Sequence, residues 1–101
     1  MEETLLMIVT VAAQAGDDVL IAPPLPADKY YFAEIEKIKI VTPDNQVIEK
    51  DAEFAIPFDS ESCEYLLLIP NTKKDEIPMG SQIWIKKPLE QITRKPDPTE
   101  K

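Results

Sequence analysis

The stretch Ser62–Pro70 reads SCEYLLLIP, and it is the most apolar run in the second half of the chain. No polar residue stands between Tyr65 and Pro70, and a run of this length suits a strand better than a helix. The sequence therefore predicts that Ser62–Ile69 is the central strand of a small β domain.

The chain has 101 residues, which favours one domain of a size that can bury a core without disulfides or metal. Hydrophobic residues make up 44% and charged residues 30%, as is ordinary for a soluble globular protein. The formal net charge is −8. Because phosphate binding needs clustered Lys and Arg, this charge makes duplex DNA or an anionic membrane an unlikely partner.

The only cysteine, Cys63, excludes an intramolecular disulfide and is expected to be a buried thiol. The apolar run Leu5–Ala13 follows two glutamates rather than the basic region of a secretion signal, and it is too short to span a bilayer. We therefore expect a cytoplasmic protein that does not act at a membrane.

Two strands are predicted near the start of the chain. Thr4–Ala13 has a β-branched centre that favours a strand over the rival helix. Asp18–Ala22 is predicted as a short second strand. The prolines at 23, 24 and 26 are expected to end it and to force an extended, unpaired connection.

The segment Lys29–Val41 alternates cleanly at its end, but Ile35 falls on the wrong side of the pattern. A β-bulge near Glu36 would restore the alternation. The alternative is a short helix over Ala27–Glu36 that leads into the strand.

A turn is predicted at Thr42-Pro43-Asp44-Asn45, because proline suits its second position and Asp and Asn tolerate the later ones. It joins 35–41 to 47–56 in an antiparallel hairpin. Lys50 interrupts the apolar side of Gln46–Pro57, so a break or bulge is expected there.

The last predicted strand lies in Ile77–Lys87, after a turn at Gly80-Ser81. Pro88–Lys101 holds three prolines and is expected to be a flexible tail to a β domain over 1–87. The fold class predicted is all-β: a small single-domain barrel or sandwich of about six mainly antiparallel strands, with room for one short helix.

The segment Ile77–Ile85 has the pattern Pro-x-Gly-x-x-apolar-x-apolar. In this it resembles the closing strand of translation-factor-type β-barrels. The resemblance implies barrel geometry only, because the glycine-rich first hairpin of those domains has no counterpart here. No functional residue is carried over.

Strand Thr4–Ala13 and the run Tyr65–Ile69 are apolar on both sides. Leaving one side in water would be costly, since burying a Leu or Ile contributes roughly 1.5–3 kcal/mol. We hypothesise that the two strands are neighbours whose outer side binds a second copy in a homodimer, or another protein. The alternatives are cover by the tail and ordinary burial within a closed barrel. The candidate association residues are Leu6, Ile8, Leu66, Leu68, Leu89 and Ile92.

The chain has no histidine, which removes His-based nucleophile systems and the common zinc sites. Its two glycines, 16 and 80, cannot form a phosphate-binding loop. The acidic cluster Asp59, Glu61 and Glu64 lacks EF-hand spacing and is interpreted as a solvated loop. The sequence therefore predicts no catalytic residue, cofactor or metal site.

The function favoured by these observations is a non-catalytic interaction or assembly module. One alternative is a ligand- or oligonucleotide-binding barrel that stacks its ligand on aromatic side chains. The residues concerned are Tyr30, Tyr31, Phe32 and Trp84. A carboxylate-based enzyme is the second alternative.

Overall fold

The computed structural model describes residues 2–56 and 64–93. In these residues seven antiparallel strands form one curled, barrel-like sheet, so the predicted all-β class is confirmed. The strands are β1 (Thr4–Ile8), β2 (Val11–Ala15), β3 (Asp18–Pro26), β4 (Ile35–Val41), β5 (Val47–Ala55), β6 (Glu64–Ile69) and β7 (Gln82–Ile85). Their order across the sheet is β1-β7-β4-β5-β6-β3-β2. A 3-10 turn (Lys74–Glu76) precedes β7, and a short helix, α1 (Leu89–Ile92), follows it.

The two end strands of the sheet are halves of one N-terminal segment. β1 pairs with β7 and β2 pairs with β3, and only Val9 and Thr10 lie between them. The Val9 amide donates to the Ser81 carbonyl at 2.8 Å, and the Thr10 amide donates to the Ala22 carbonyl at 2.9 Å. The predicted strand Thr4–Ala13 is therefore two strands, and its change of partner brings the sheet ends together.

The core fills the inside of this curl and comes mainly from alternate residues of the strands, as in an antiparallel sheet with one solvated side. Strand β2 supplies no fully buried side chain. Along β6, Tyr65, Leu67 and Ile69 are buried, whereas Leu66 and Leu68 on the other side are half-buried. The fully enclosed side chains include Val19, Ile21, Ile38, Ile40, Leu67, Ile69, Ile83, Ile85 and Ile92. β6 is an internal strand between β3 and β5, but the middle of the seven strands is β5, not the strand over Ser62–Ile69 that was expected to be central. Residues 62 and 63 lie outside the described residues.

The predicted hairpin of β4 and β5 is present with an unbroken register from Ile35↔Glu53 to Val41↔Val47. Its turn is closed by the Asn45 amide, which donates to the Thr42 carbonyl at 2.9 Å, with Asn45 at a positive φ of 69°. The expected interruption at Lys50 is wrong. Lys50 pairs with Ile38 in the continuous ladder, and its ammonium group lies 3.7 Å from the Glu76 carboxylate.

β3 continues through the prolines that were expected to end it. After pairing Val19–Ile21 with β6 the register shifts, and Leu25 and Pro26 then pair with Tyr65 and Glu64. Proline has no N–H group to donate to the neighbouring strand. The irregular register accommodates this loss, because a bulge is one of the few places where a sheet tolerates proline. The expected unpaired connection after Ala22 is therefore wrong.

Both expectations for the start of β4 are also wrong. No bulge interrupts β4, and residues 27–34 form no helix. Ile35 points outward with 58% of its surface exposed, and Glu36 points inward and is buried. The Glu36 carboxylate accepts from the Ala33 amide at 2.7 Å and lies 2.8 Å from the Lys87 ammonium. Because the buried carboxylate has these two partners, Glu36 faces inward and Ile35 faces outward.

Helix α1 packs back on the domain. Ile92 is fully buried, Tyr30 and Thr93 form a β-bridge, and the Tyr31 amide donates to the Ile92 carbonyl at 2.7 Å. The described part of the predicted tail over 88–101 therefore packs on the domain, and the tail's flexibility stays a prediction. Residues 94–101 lie outside the described residues.

Adjacent positions of β6 give a direct test of its inward and outward sides. We expect Leu67→Asp to unfold the domain, because a buried, unpaired charge costs several kcal/mol against a total stability of about 5–15 kcal/mol. Leu68→Asp, on the outward side, should remain folded. Circular dichroism during urea unfolding measures both, and equal losses would contradict the assigned sides.

Candidate functional site

The outward side of the sheet carries two apolar surfaces on different strands. The first, which we call the leucine face, lies on β2, β3, β6 and the end of β5. Its outward side chains are Val11, Ala13, Leu20, Ala22, Ala55, Leu66 and Leu68. The second, the tryptophan face, lies on β1, β7, β4 and the start of β5. Its apolar side chains are Leu5, Ile8, Val41, Val47 and Trp84.

Strand pairing builds the leucine face. Leu20 of β3 lies directly opposite Leu68 of β6, and Ala13 of β2 lies on the far side of Leu20. Leu66 lies opposite Ala55 of β5. Paired residues of neighbouring strands are about 4.5–5.5 Å apart, so these side chains form one continuous apolar surface.

The charged residues that β2, β3 and β6 contribute around the leucine face are acidic, while Lys74 of the neighbouring 3-10 turn lies beside β2. β2, β3 and β6 contain no Lys or Arg. Glu53 lies opposite Leu68, and Asp18 and Glu64 stand at the starts of β3 and β6. This surface therefore combines an apolar centre with a negative border.

The tryptophan face is centred on Trp84, which lies between Leu5 of β1 and Lys39 of β4. The Lys39 ammonium nitrogen is 5.7 Å from the centroid of the Trp84 ring, within the range of a cation–π contact. The next row across the strands is Ile8, Gln82, Val41 and Val47. Ile8 is 51% exposed and Val47 59% exposed, so this row is open to solvent.

Ion pairs border the tryptophan face. The Lys39 ammonium lies 2.6 Å from the Glu3 carboxylate, and the Lys37 ammonium lies 3.7 Å from the Asp51 carboxylate. Lys86 donates a hydrogen bond to Glu49. These pairs make the border electrically neutral, in contrast to the leucine face.

The six candidate association residues do not share one surface. Strand β3 separates β6 from β2, and β1 pairs with β7, so the expectation that the two doubly apolar strands are neighbours is wrong. Leu66 and Leu68 belong to the leucine face, and Ile8 belongs to the tryptophan face. The other three lie elsewhere: Leu6 packs partly on the core, Ile92 is fully buried, and Leu89 is 54% exposed on α1.

The four candidate stacking residues are also separated. Phe32 is buried, with its ring centroid 4.4 Å from that of Phe54 and 5.0 Å from that of Tyr65. Tyr30 stacks on Phe32 from a half-buried position, and Tyr31 is exposed. Trp84 is on the outward side of β7. The structure thus forms no single platform from these aromatics.

Sequence reasoning missed Leu5 because it chose Leu6 and Ile8 as the outward residues of a regular strand, whereas the irregularity between Leu5 and Met7 brings Leu5 and Ile8 to the same side. It missed Val41 and Val47 because it treated their strands as having one solvated side. Val41 and Val47 flank the turn of the predicted hairpin, and their pairing in β4 and β5 could have been noticed. The partnership of Trp84 with Leu5 and Lys39 joins distant parts of the chain, and no local pattern signals it.

Within residues 2–56 and 64–93, no group of three His, Cys, Asp or Glu side chains could hold a metal ion. Asp59, Glu61 and Cys63 lie outside the described residues, so the interpretations of the acidic cluster and of the thiol stay predictions. In the same described part of the chain, neither helix is long and apolar enough to cross a membrane.

The Glu49–Lys86 pair yields a pH prediction. The hydrogen bond and positive charge of Lys86 hold the pKa of the Glu49 carboxyl below its usual value. A depressed folded-state pKa contributes stability above the unfolded-state pKa, and this contribution is lost as the pH falls through the folded-state value.

We therefore expect Lys86→Met to move the Glu49 titration to higher pH, and Lys29→Met to leave it in place. A carboxyl-carbon NMR titration measures this. An unchanged Glu49 titration in the Lys86 variant would show that the pair does not persist in solution.

The chain matches no protein-family model, and comparisons with curated proteins and with solved structures find no significant match.

Proposed function

We propose that this protein is a non-catalytic interaction module that binds a protein partner through its leucine face. The observation that carries the proposal is the row of Leu20 opposite Leu68, continued by Leu66, on strands that have no basic residue. We also propose that it acts in the cytoplasm, where its one cysteine would stay reduced.

Burial favours binding at this face. Leu20, Leu66 and Leu68 are only half-buried, and Val11 at the edge is 55% exposed. Each further 100 Å² of apolar surface removed from water contributes roughly 2.5 kcal/mol before the costs of association. A partner that covers the three leucines therefore has a substantial driving force available.

The acidic residues beside the leucine face favour a partner that carries basic residues. Glu53, Asp18 and Glu64 border the apolar centre, so a symmetric contact between two leucine faces would bring carboxylates together. Like charges facing each other across an interface cost several kcal/mol. The surface is better matched by a different protein that presents apolar side chains flanked by Lys or Arg.

A synthetic peptide that alternates leucine and lysine tests this specificity. We expect saturable binding by calorimetry, with amide NMR shifts concentrated on β3 and β6. A serine–lysine peptide of the same length and charge should bind at least about tenfold weaker, because it lacks the apolar contribution of roughly 1.4 kcal/mol or more.

Two exposed positions of β5 provide matched variants. Ala55→Lys places a positive charge beside Leu66 and should weaken binding of the leucine–lysine peptide about tenfold. Val47→Lys adds the same charge to the tryptophan face and should leave binding unchanged. Equal binding of the two peptides, or equal effects of the two substitutions, would refute the leucine face as the binding surface.

A further inference from the structure

We propose that the tryptophan face is a separate self-association surface, and that its occupant is the tryptophan face of a second copy of this chain. This proposal does not rest on the function proposed for the leucine face, because it concerns different strands, different residues and a different partner.

The apolar centre has the composition of an interface core. Leu5, Ile8 and Val47 are 40%, 51% and 59% exposed. Leu5 lies directly opposite Trp84, and Ile8 and Val47 stand at the two ends of the next row. The Trp84 indole N–H donates to the Gln82 side-chain oxygen at 3.0 Å, so its polar atom has an intramolecular partner on the same strand. Covering the ring therefore leaves the indole N–H paired. Tryptophan is among the residues that contribute most binding energy when they lie at the centre of an interface.

The paired charges at the border of the tryptophan face favour contact with the same face of a second copy. The whole chain carries a net charge of −8, which opposes close approach of two copies over most surfaces. At the tryptophan face, Lys37, Lys39 and Lys86 are each paired with a carboxylate, and the six charges sum to zero. Two such faces can therefore meet without net repulsion between these six groups.

The size of the face sets the expected affinity. Four strands spaced about 4.8 Å apart give a width of roughly 15 Å, and the two rows of outward apolar side chains extend over roughly 15 Å of strand. An apolar centre of roughly 200 Å², even with its polar border, lies below the roughly 800 Å² per partner of a standard interface. A two-fold contact of this size is weak, so we expect association in the range of about 10 μM to 1 mM.

The chain offers its own probe, since Trp84 is the only tryptophan. As the concentration of the full chain rises through this range, the mean mass in sedimentation equilibrium should approach that of a dimer. Over the same range the Trp84 emission should move to shorter wavelength as the ring leaves water.

Two valines of nearly equal exposure supply the variant and its control. Val47→Lys places a charge in the tryptophan face, and Val11→Lys places the same charge in the leucine face, at positions 59% and 55% exposed. Both exposed positions should tolerate the change, which circular dichroism verifies. We expect the Val47 variant to stay monomeric to about 1 mM and the Val11 variant to associate as the unchanged chain does.

A chain that is monomeric up to about 1 mM overturns this proposal and leaves peptide binding at the leucine face untouched. Association that Val11→Lys reduces as much as Val47→Lys also overturns it, because the leucine face would then contribute to the contact. The reverse result is a dimer that is lost only in the Val47 variant, together with no binding of the leucine–lysine peptide. That result would support self-association through the tryptophan face and reject partner binding at the leucine face.

Discussion

The fold depends on one constraint: a single N-terminal segment must pair with both ends of the sheet. Val9 hydrogen-bonds to Ser81 and, through its carbonyl, to the Gly80 amide at 2.9 Å, and Thr10 bonds to Ala22. Because the segment changes partner within two residues, the other strands must curl until β7 and β3 come within reach. The curl separates a dry inner side, filled by alternate residues, from an outer side that supplies both apolar faces.

The same constraint leaves two strand edges without a full partner, and the chain protects each of them differently. Strand β3 carries Pro23, Pro24 and Pro26, which lack the N–H groups that a continuous ladder would need. Beside β2, the Gln14 side chain accepts from the Lys74 amide at 2.8 Å and donates to the Thr72 carbonyl at 3.1 Å. Unprotected edges invite uncontrolled pairing, so these features oppose association through the strand edges.

Local chemistry predicted the elements that depend on neighbouring residues. The turn at Thr42–Asn45 and the β4–β5 hairpin follow from Pro43, Asp44 and Asn45 together with the alternation beyond Ile35, and β6 follows from its uninterrupted apolar run. The failures all involve distant partners. Glu36 faces inward because Lys87, 51 positions away, lies beside it, and Ile92 is buried because Tyr30 and Tyr31 bind the chain around it. The prediction of the association surface failed for the same reason, since a strand with two apolar sides does not reveal which strands will flank it.

The placement of the two faces on different strands has a consequence for binding strength. A dimer joined through its tryptophan faces would carry two leucine faces, each available to a partner. A partner with two suitable segments could then hold both copies at once, and the second contact would form at a high effective concentration instead of from free solution. Weak self-association and weak partner binding would reinforce each other in such an assembly, so that the abundance of the chain itself would control how firmly the partner is held.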